Sequence, residues 1–487
     1  DKFDEAAYED ALMCLFEGLG YERVYGPDLT GRDYTNPLLD DVVVSSLSHI
    51  NKKLPCNAIE EALRKLKQIE GANLQERNFK FTQLMQNGVE VSYSNAQHET
   101  KYDIVKLIDF DNPKNNTLQI INQYTMKGSD IKRPDMVVMV NGIPLVIIEL
   151  KSPSRKETDA SEAYLQLRNY MKVIPDIFTF NAFSVMSDMA ETKIGTITAN
   201  EDRYMSWKNP DGKIADYDTI FKNVFHPNVF LKILKNYILW DENGIDSKKI
   251  LAGYHQFYAV EKAAVRAEKA VNGNGQIGVF WHTQGSGKSL SMVMFAHHPM
   301  IQQMNATIIV ITDRNDLDDQ LFGQFSRTKT FLRQTASQAT DRNNLRELLK
   351  NRVSGGIIFT TMQKFEEYDS PLSERKNIIV MTDEAHRGQY GMEEKVDKEG
   401  RVHIGTARKI RNSLPNASFI GFTGTPISDK DRDTQEVFGD YIDVYDMTQA
   451  VEDGATMPVY YESRVIKLKL DEEVLKQIDD EYDLLRQ

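Results

Sequence analysis

Apolar positions follow two different rhythms along the chain. Through the first 25 residues Ala7, Leu12, Leu15 and Phe16 recur at helical spacing, and Gly18 and Gly20 close the run, so the spacing predicts an amphipathic helix. A second helix is predicted near residues 59–68. From about 78 to 150 the apolar segments shorten into FKFTQL, VEVSYS, YDIVKLIDF, NTLQIINQYTM and RPDMVVMVNGIPLVIIELKSP, which read as strands. A third helix is expected near 160–173 and strand-like segments around 178–186. Residues 1–225 therefore read as one α+β unit on a mixed sheet, and 226–250 as a helix followed by a polar connector.

From about 251 the rhythm changes. QIGVFWH precedes KSLSMVMFAHH, and TIIVITD precedes NDLDDQLFGQF; GIIFTT, NIIVMTDEAH and ASFIGFTGT follow. Apolar strands alternating with helices predict a parallel sheet flanked by helices, so the fold class is α/β. Beyond Gly454 come MPVYYESRVIKLKL and a charged helical stretch.

Composition narrows this picture. A length of 487 residues accommodates two to four domains, and 41% apolar with 27% charged residues is an ordinary globular balance. Two cysteines, Cys14 and Cys56, argue against a disulfide-built secreted protein, and no apolar run has the length of a membrane span. A cytoplasmic location is the expectation. The net charge of −13 excludes general basicity as a means of holding nucleic acid, so any such contact must use local patches.

HTQGSGKS, residues 282–289, stands between a strand and a helix, the setting of a phosphate loop. Thr283, Gln284, Gly285, Ser286 and Gly287 form the loop, and its glycines let N–H groups turn inward around a polyphosphate. Lys288 brings a charge to the β- and γ-phosphates, and the Ser289 hydroxyl is a Mg²⁺ ligand. His282 stands where the strict pattern has glycine. Downstream, Asp383 can hold Mg²⁺ through water and Glu384 can orient the attacking water. Thr423 and Thr425 in FIGFTGTP sit at another strand end, on the side that meets a nucleotide.

These segments resemble superfamily 2 helicases and translocases. HTQGSGKS resembles their motif I, DEAH their motif II and TGTP their motif III, while TIIVITDR and IIFTTMQKF resemble motifs that touch the DNA backbone. The resemblance gives Gln256 the role of reading the adenine edge. It covers about 251–455, the first of two RecA-like lobes, with 456–487 expected to begin a second lobe that is largely absent. A partial chain with weak ATP hydrolysis of its own is the expectation.

In residues 133–153, Asn141-Gly142 is a hairpin turn signal. Folding there brings Asp135 opposite roughly 148–150, and strand alternation puts Glu149 and Lys151 on one face. Two carboxylates side by side repel unless a cation lies between them, and Mg²⁺ suits hard oxygen ligands. A salt bridge at a sheet edge would use the same residues. The run P-D…E-L-K resembles the PD-(D/E)xK nuclease motif, and Gln166 and Tyr170 resemble the Q-x-x-x-Y element that accompanies it. That family often adds an upstream helical acid, for which Glu5, Glu9 and Glu76 are candidates. Lys127, Lys132, Arg133, Lys151, Arg155, Lys156 and Arg168 form a local basic group suited to a duplex backbone.

A nuclease of this kind ahead of a superfamily 2 motor is similar to the restriction and motor (R, HsdR) subunit of type I restriction–modification enzymes; type III enzymes carry the nuclease after the motor. The resemblance implies ATP and Mg²⁺ as cofactors. It implies double-stranded DNA and the methyltransferase and specificity subunits as partners. It also implies translocation of DNA with cleavage away from the recognised site. Two other readings are a helicase with an accessory, non-catalytic N-terminal binding module and a non-enzymatic scaffold.

Overall fold

A computed structural model describes residues 5–151, 161–188, 190–214, 218–312, 320–365, 370–383, 394–396, 402–404, 406–424 and 438–455. Glu384, Thr425, Arg155, Lys156 and the stretch 456–487 lie outside the described residues.

The N-terminal half is organised around a six-stranded sheet in the order Glu22–Tyr25, Leu118–Asn122, Met136–Val140, Ile143–Leu150, Phe183–Ser187, Thr192–Gly195. Its pairings are parallel, antiparallel, antiparallel, parallel and antiparallel in turn, so the sheet is mixed. The two central strands are buried at every position. Covered on both faces, they read as continuous apolar runs rather than as alternation. Helix Glu5–Gly18 packs through Tyr8, Leu12, Met13 and Phe16, a stripe one residue away from the Ala7 and Leu15 that the spacing suggests.

FKFTQL is helical, not a strand: it lies in helix Leu74–Asn87, capped by Asn73, whose side chain accepts from the Glu76 N–H. The buried stripe is Asn78, Phe81, Thr82, Met85 and Gln86. Its polar members are buried because each has partners. The Asn78 amide donates to the Phe178 and Asn181 carbonyls, and the Gln86 amide donates to those of Leu234 and Ile238. Helical period is therefore present, but apolarity does not report it.

Helix Pro227–Asn236 is followed by a hairpin of Ile238–Asp241 and Lys248–Leu251, where the sequence suggested a polar connector. Lys249 is buried there, donating to Asn78 Oδ1 at 2.8 Å and the Asn181 carbonyl at 2.6 Å. The C-terminal half holds a seven-stranded sheet. Its order is Ser337–Gln338, Ile357–Thr361, Thr307–Thr312, Ile378–Asp383, Ser418–Thr423, Gln276–His282, Tyr441–Tyr445, all parallel. The carboxyl ends of its strands consequently share one edge, where open α/β sheets receive ligands.

Candidate functional site

At that edge, strand Gln276–His282 runs into the glycine loop. Gly285 and Gly287 have φ of 82° and 85°, a region that disfavours side chains, and helix Lys288–His297 begins directly after. A Cβ on Gly287 would stand 2.5 Å from Gln256 Nε2. The Gln256 amide is tied at both ends: Oε1 accepts from the Gly253 N–H at 2.9 Å, and Nε2 donates to the Gly287 carbonyl at 2.8 Å. The Ser286 hydroxyl donates to the Thr283 carbonyl at 2.5 Å, and the Thr283 N–H donates to the Tyr445 carbonyl. Gln284 is exposed, and Ser289 is half-buried in the first helical turn.

Lys288 Nζ lies 3.1 Å from Asp383 Oδ1. Asp383 ends its strand opposite Phe422, and the buried Thr423 ends the intervening strand opposite Trp281. The loop lysine, the acid and the threonine thus converge from three adjacent strand ends. His282 stands in place of glycine at the end of its strand. It is buried, and its Nε2 lies 2.8 Å from Asp443 Oδ2 on the neighbouring strand. Burial holds its pKa below the usual imidazole value. Sequence reasoning missed what braces this site. His255 stacks on Tyr445 at 4.0 Å, and Asp453 accepts from the hydroxyls of Tyr254 and Tyr445 and pairs with Lys208 at 2.6 Å. No motif spacing announces these residues.

The second constellation lies in the mixed sheet. Asn141 and Gly142 have φ of 53° and 79°, and Val140 pairs with Ile143 across them. This is a two-residue turn of the kind Asn-Gly favours. The turn alone would set Asp135 against Ile148. A bulge changes the register, because Met139 pairs with Pro144 but Val138 with Val146. Met136 then pairs with Ile148, which leaves Asp135 facing Glu149 one step further on. Strand alternation turns both acids to the sheet face that also carries Val137, Ile147 and Tyr170.

Asp135 Oδ2 accepts from the Leu150 N–H at 2.8 Å, Lys151 Nζ lies 3.0 Å from Glu149 Oε1, and the Tyr170 hydroxyl donates to Glu149 Oε2 at 3.1 Å. Gln166, one turn before Tyr170, hydrogen-bonds its side chain. Burial pushes the Asp135 carboxyl up to about 6, against the opposing pull of the Leu150 N–H and Lys151. Burial and the Asp135 charge push Glu149 up to about 8. Burial works to lower the Lys151 pKa, but the Glu149 charge outweighs it and the ammonium is held above its usual value. Tyr170 is raised by burial and by Glu149.

A buried and a half-buried acid facing each other are a fitting donor set for a hard divalent cation, which restores charge balance and keeps several waters. Among the described residues no group of three or more His, Cys, Asp or Glu surrounds a common point. Of the upstream acids, Glu5 and Glu9 sit on the helix whose charge reaches Asp135. Glu9 accepts from Asn122 and Gln123 at 2.8 and 2.9 Å. Glu76 is elsewhere, accepting from the Ala72 N–H and pairing with Lys80. Of the basic group, Lys127, Arg133 and Arg168 are exposed, Lys132 pairs with Asp130, and Arg168 donates to the Ile197 carbonyl.

Residues 2–203 match the family model of the type I restriction enzyme R protein N terminus, and residues 255–487 match that of the SWI2/SNF2 ATPase. The chain is 38% identical to the type I restriction enzyme HindI endonuclease subunit of Haemophilus influenzae, over 96% of this chain and 46% of the relative. It is 34% identical to a provisionally named type I restriction enzyme MjaIXP endonuclease subunit of Methanocaldococcus jannaschii, over 99% of this chain and 48% of the relative. The chain thus spans about half the length of the curated relatives it matches. A solved Sulfolobus solfataricus SWI2/SNF2 ATPase core in complex with dsDNA aligns over 42% of this chain and 37% of its own. Its identity is 18% and its TM-score 0.28, too loose a superposition to bear on the fold.

Proposed function

We propose, from the match of its N-terminal part to the type I restriction enzyme R protein N terminus and of the part that follows to the SWI2/SNF2 ATPase, that the chain serves in a restriction endonuclease subunit, coupling ATP-driven translocation of double-stranded DNA to Mg²⁺-dependent cleavage. In this reading residues 1–225 form the endonuclease domain, 226–250 the connection, 251–455 the first motor lobe, and 456–487 the start of the second. The methyltransferase and specificity subunits of the same system are its partners, and the cytoplasm its location. No helix among the described residues is long and apolar enough to cross a membrane.

The observation that carries the nuclease reading is the convergence of Asp135, Glu149 and Lys151 on one face of the ribbon. Asp135 and Glu149 would hold Mg²⁺, which when bound supplies a Lewis acid for the scissile phosphate and an activated water. Lys151 stands where it can neutralise charge developing on the phosphate, at present balanced by Glu149. Tyr170, positioned by Gln166, fixes the Glu149 carboxylate. In the motor, Lys288 is placed to exchange Asp383 for the nucleotide's phosphates, while Ser289 and Asp383 would hold the accompanying Mg²⁺. Gln256, anchored on the loop, would read adenine, and Glu384 would orient the attacking water.

The test is Asp135→Ala in the enzyme reconstituted with its partner subunits. DNA cleavage should disappear while ATP hydrolysis and translocation continue. Persistent cleavage would favour the reading of the N-terminal half as an accessory binding module on a helicase.

A further inference from the structure

Arg32 lies in a loop beside the mixed sheet, with its guanidinium 3.7 Å from the ring centroid of Tyr124 and 5.4 Å from that of Tyr34. Its Nη2 contacts Met126 Sδ at 3.2 Å, and its Nε is buried without a hydrogen-bond partner. Among the described residues no carboxylate lies within ion-pair distance of it. A half-buried guanidinium held on two aromatic faces with no carboxylate at hydrogen-bond distance is uncommon; Asp33 acts on it only through its charge. Such groups normally satisfy their N–H fork with carboxylate or phosphate oxygens.

The platform is rigid. The Tyr124 hydroxyl donates to the Pro37 carbonyl at 2.7 Å, and the Lys127 N–H donates to the Tyr34 carbonyl at 2.8 Å. It is also next to the acidic site. Gln123, the residue before Tyr124, donates its N–H to the Asp135 carbonyl at 2.9 Å and its side chain to Glu9. Tyr124, Met126, Val137, Ile147 and Tyr170 pack in one cluster. Alternation puts Asp135 with Val137 and Glu149 with Ile147, so Arg32 stands on the face to which both acids turn.

We propose that Arg32 binds a backbone phosphate of the DNA strand presented to the Asp135–Glu149 site. The inference rests on the nuclease reading above and names a substrate-binding residue for it. The stacked guanidinium is preorganised, and a phosphodiester oxygen is a matched acceptor for its terminal N–H groups, the buried Nε staying covered. Lys127, exposed beside it, adds a second charge along the same backbone path.

The experiment compares Arg32→Met, which keeps apolar packing on Tyr124, with Arg32→Lys, which keeps the charge. Binding of the full chain to a short duplex is measured with Ca²⁺ at several salt concentrations, and Mg²⁺-dependent cleavage is measured in the reconstituted complex. Arg32→Met should lose roughly tenfold or more in affinity and cleavage at limiting DNA. Its log–log salt slope should become shallower by about one, while Arg32→Lys keeps the slope. Unchanged affinity and slope in Arg32→Met, alongside an inactive Asp135→Ala control, would overturn the assignment of Arg32 and leave the nuclease reading standing. An active Asp135→Ala control would instead remove the nuclease reading itself.

Discussion

Lowering the pH from 8 to 6 should weaken divalent-cation binding at the paired carboxylates about a hundredfold. A cation competes with the protons on Asp135 and Glu149, which burial, with the Asp135 charge adding to it at Glu149, holds near 6 and 8. The pair takes up protons in two coupled steps, so the fraction with both groups ionised is about a half at pH 8 and roughly one in two hundred at pH 6. Ordinary exposed carboxylates would pass through the same loss only between about pH 5 and 3. Calorimetric titration of the chain with Mn²⁺, in two buffers of different ionisation enthalpy, measures both consequences. The affinity should fall across this window, and about one proton should be released per ion bound at pH 7. Asp135→Ala serves as the blank for any other binding. Affinity that stays level down to pH 5 would refute the reasoning, because the acids would then be neither desolvated nor forced together.

Other outcomes follow from single residues. Burial holds the Lys249 ammonium down to about 7. The unfolded chain therefore keeps a proton that the folded chain has lost, and stability rises with pH between about 7 and 10.5, by up to about 1.4 kcal/mol per pH unit. Denaturant titrations at pH 7 and 8.5 should register that rise, and Lys249→Met should abolish the contribution; equal slopes in both proteins would contradict it. Gly287→Ala places a Cβ 2.5 Å from Gln256 Nε2 at a φ of 85°, so binding of a fluorescent ATP analogue should weaken about tenfold or more. Thermal unfolding of the N-terminal half should be unmoved by that change.

Most of the arrangement of the two candidate sites was legible because it is local. A phosphate loop is eight consecutive residues between a strand and a helix, and its context survives without tertiary information. The hairpin was nearly as legible, because Asn141-Gly142 fixes the turn and strand period fixes the face. Its register was not. Without the irregularity between Pro144 and Val146, Asp135 would oppose Ile148 and Glu149 would turn to the other face. Pro144, which cannot donate to the ladder, is the one sequence feature consistent with that break.

The rest was hidden by buried polarity. Asn78, Thr82 and Gln86 look like a solvated stripe; instead Asn78 and Gln86 donate to carbonyls far away in sequence and Thr82 accepts from the distant Trp240 indole N–H, so a helix reads as a strand. Asp443 and Asp453 brace the glycine loop only because parallel pairing brings the Tyr441–Tyr445 strand beside Gln276–His282. That adjacency skips more than 150 residues of sequence, and no short-range pattern encodes it.

The most direct test is diffraction from crystals of the chain soaked in Mn²⁺ at pH 8, with data collected at the manganese absorption edge. The account predicts an anomalous peak between the Asp135 and Glu149 carboxylates, within coordination distance of both and beside Lys151. Clean density for an undisturbed Glu149–Lys151 pair with no peak there would contradict it.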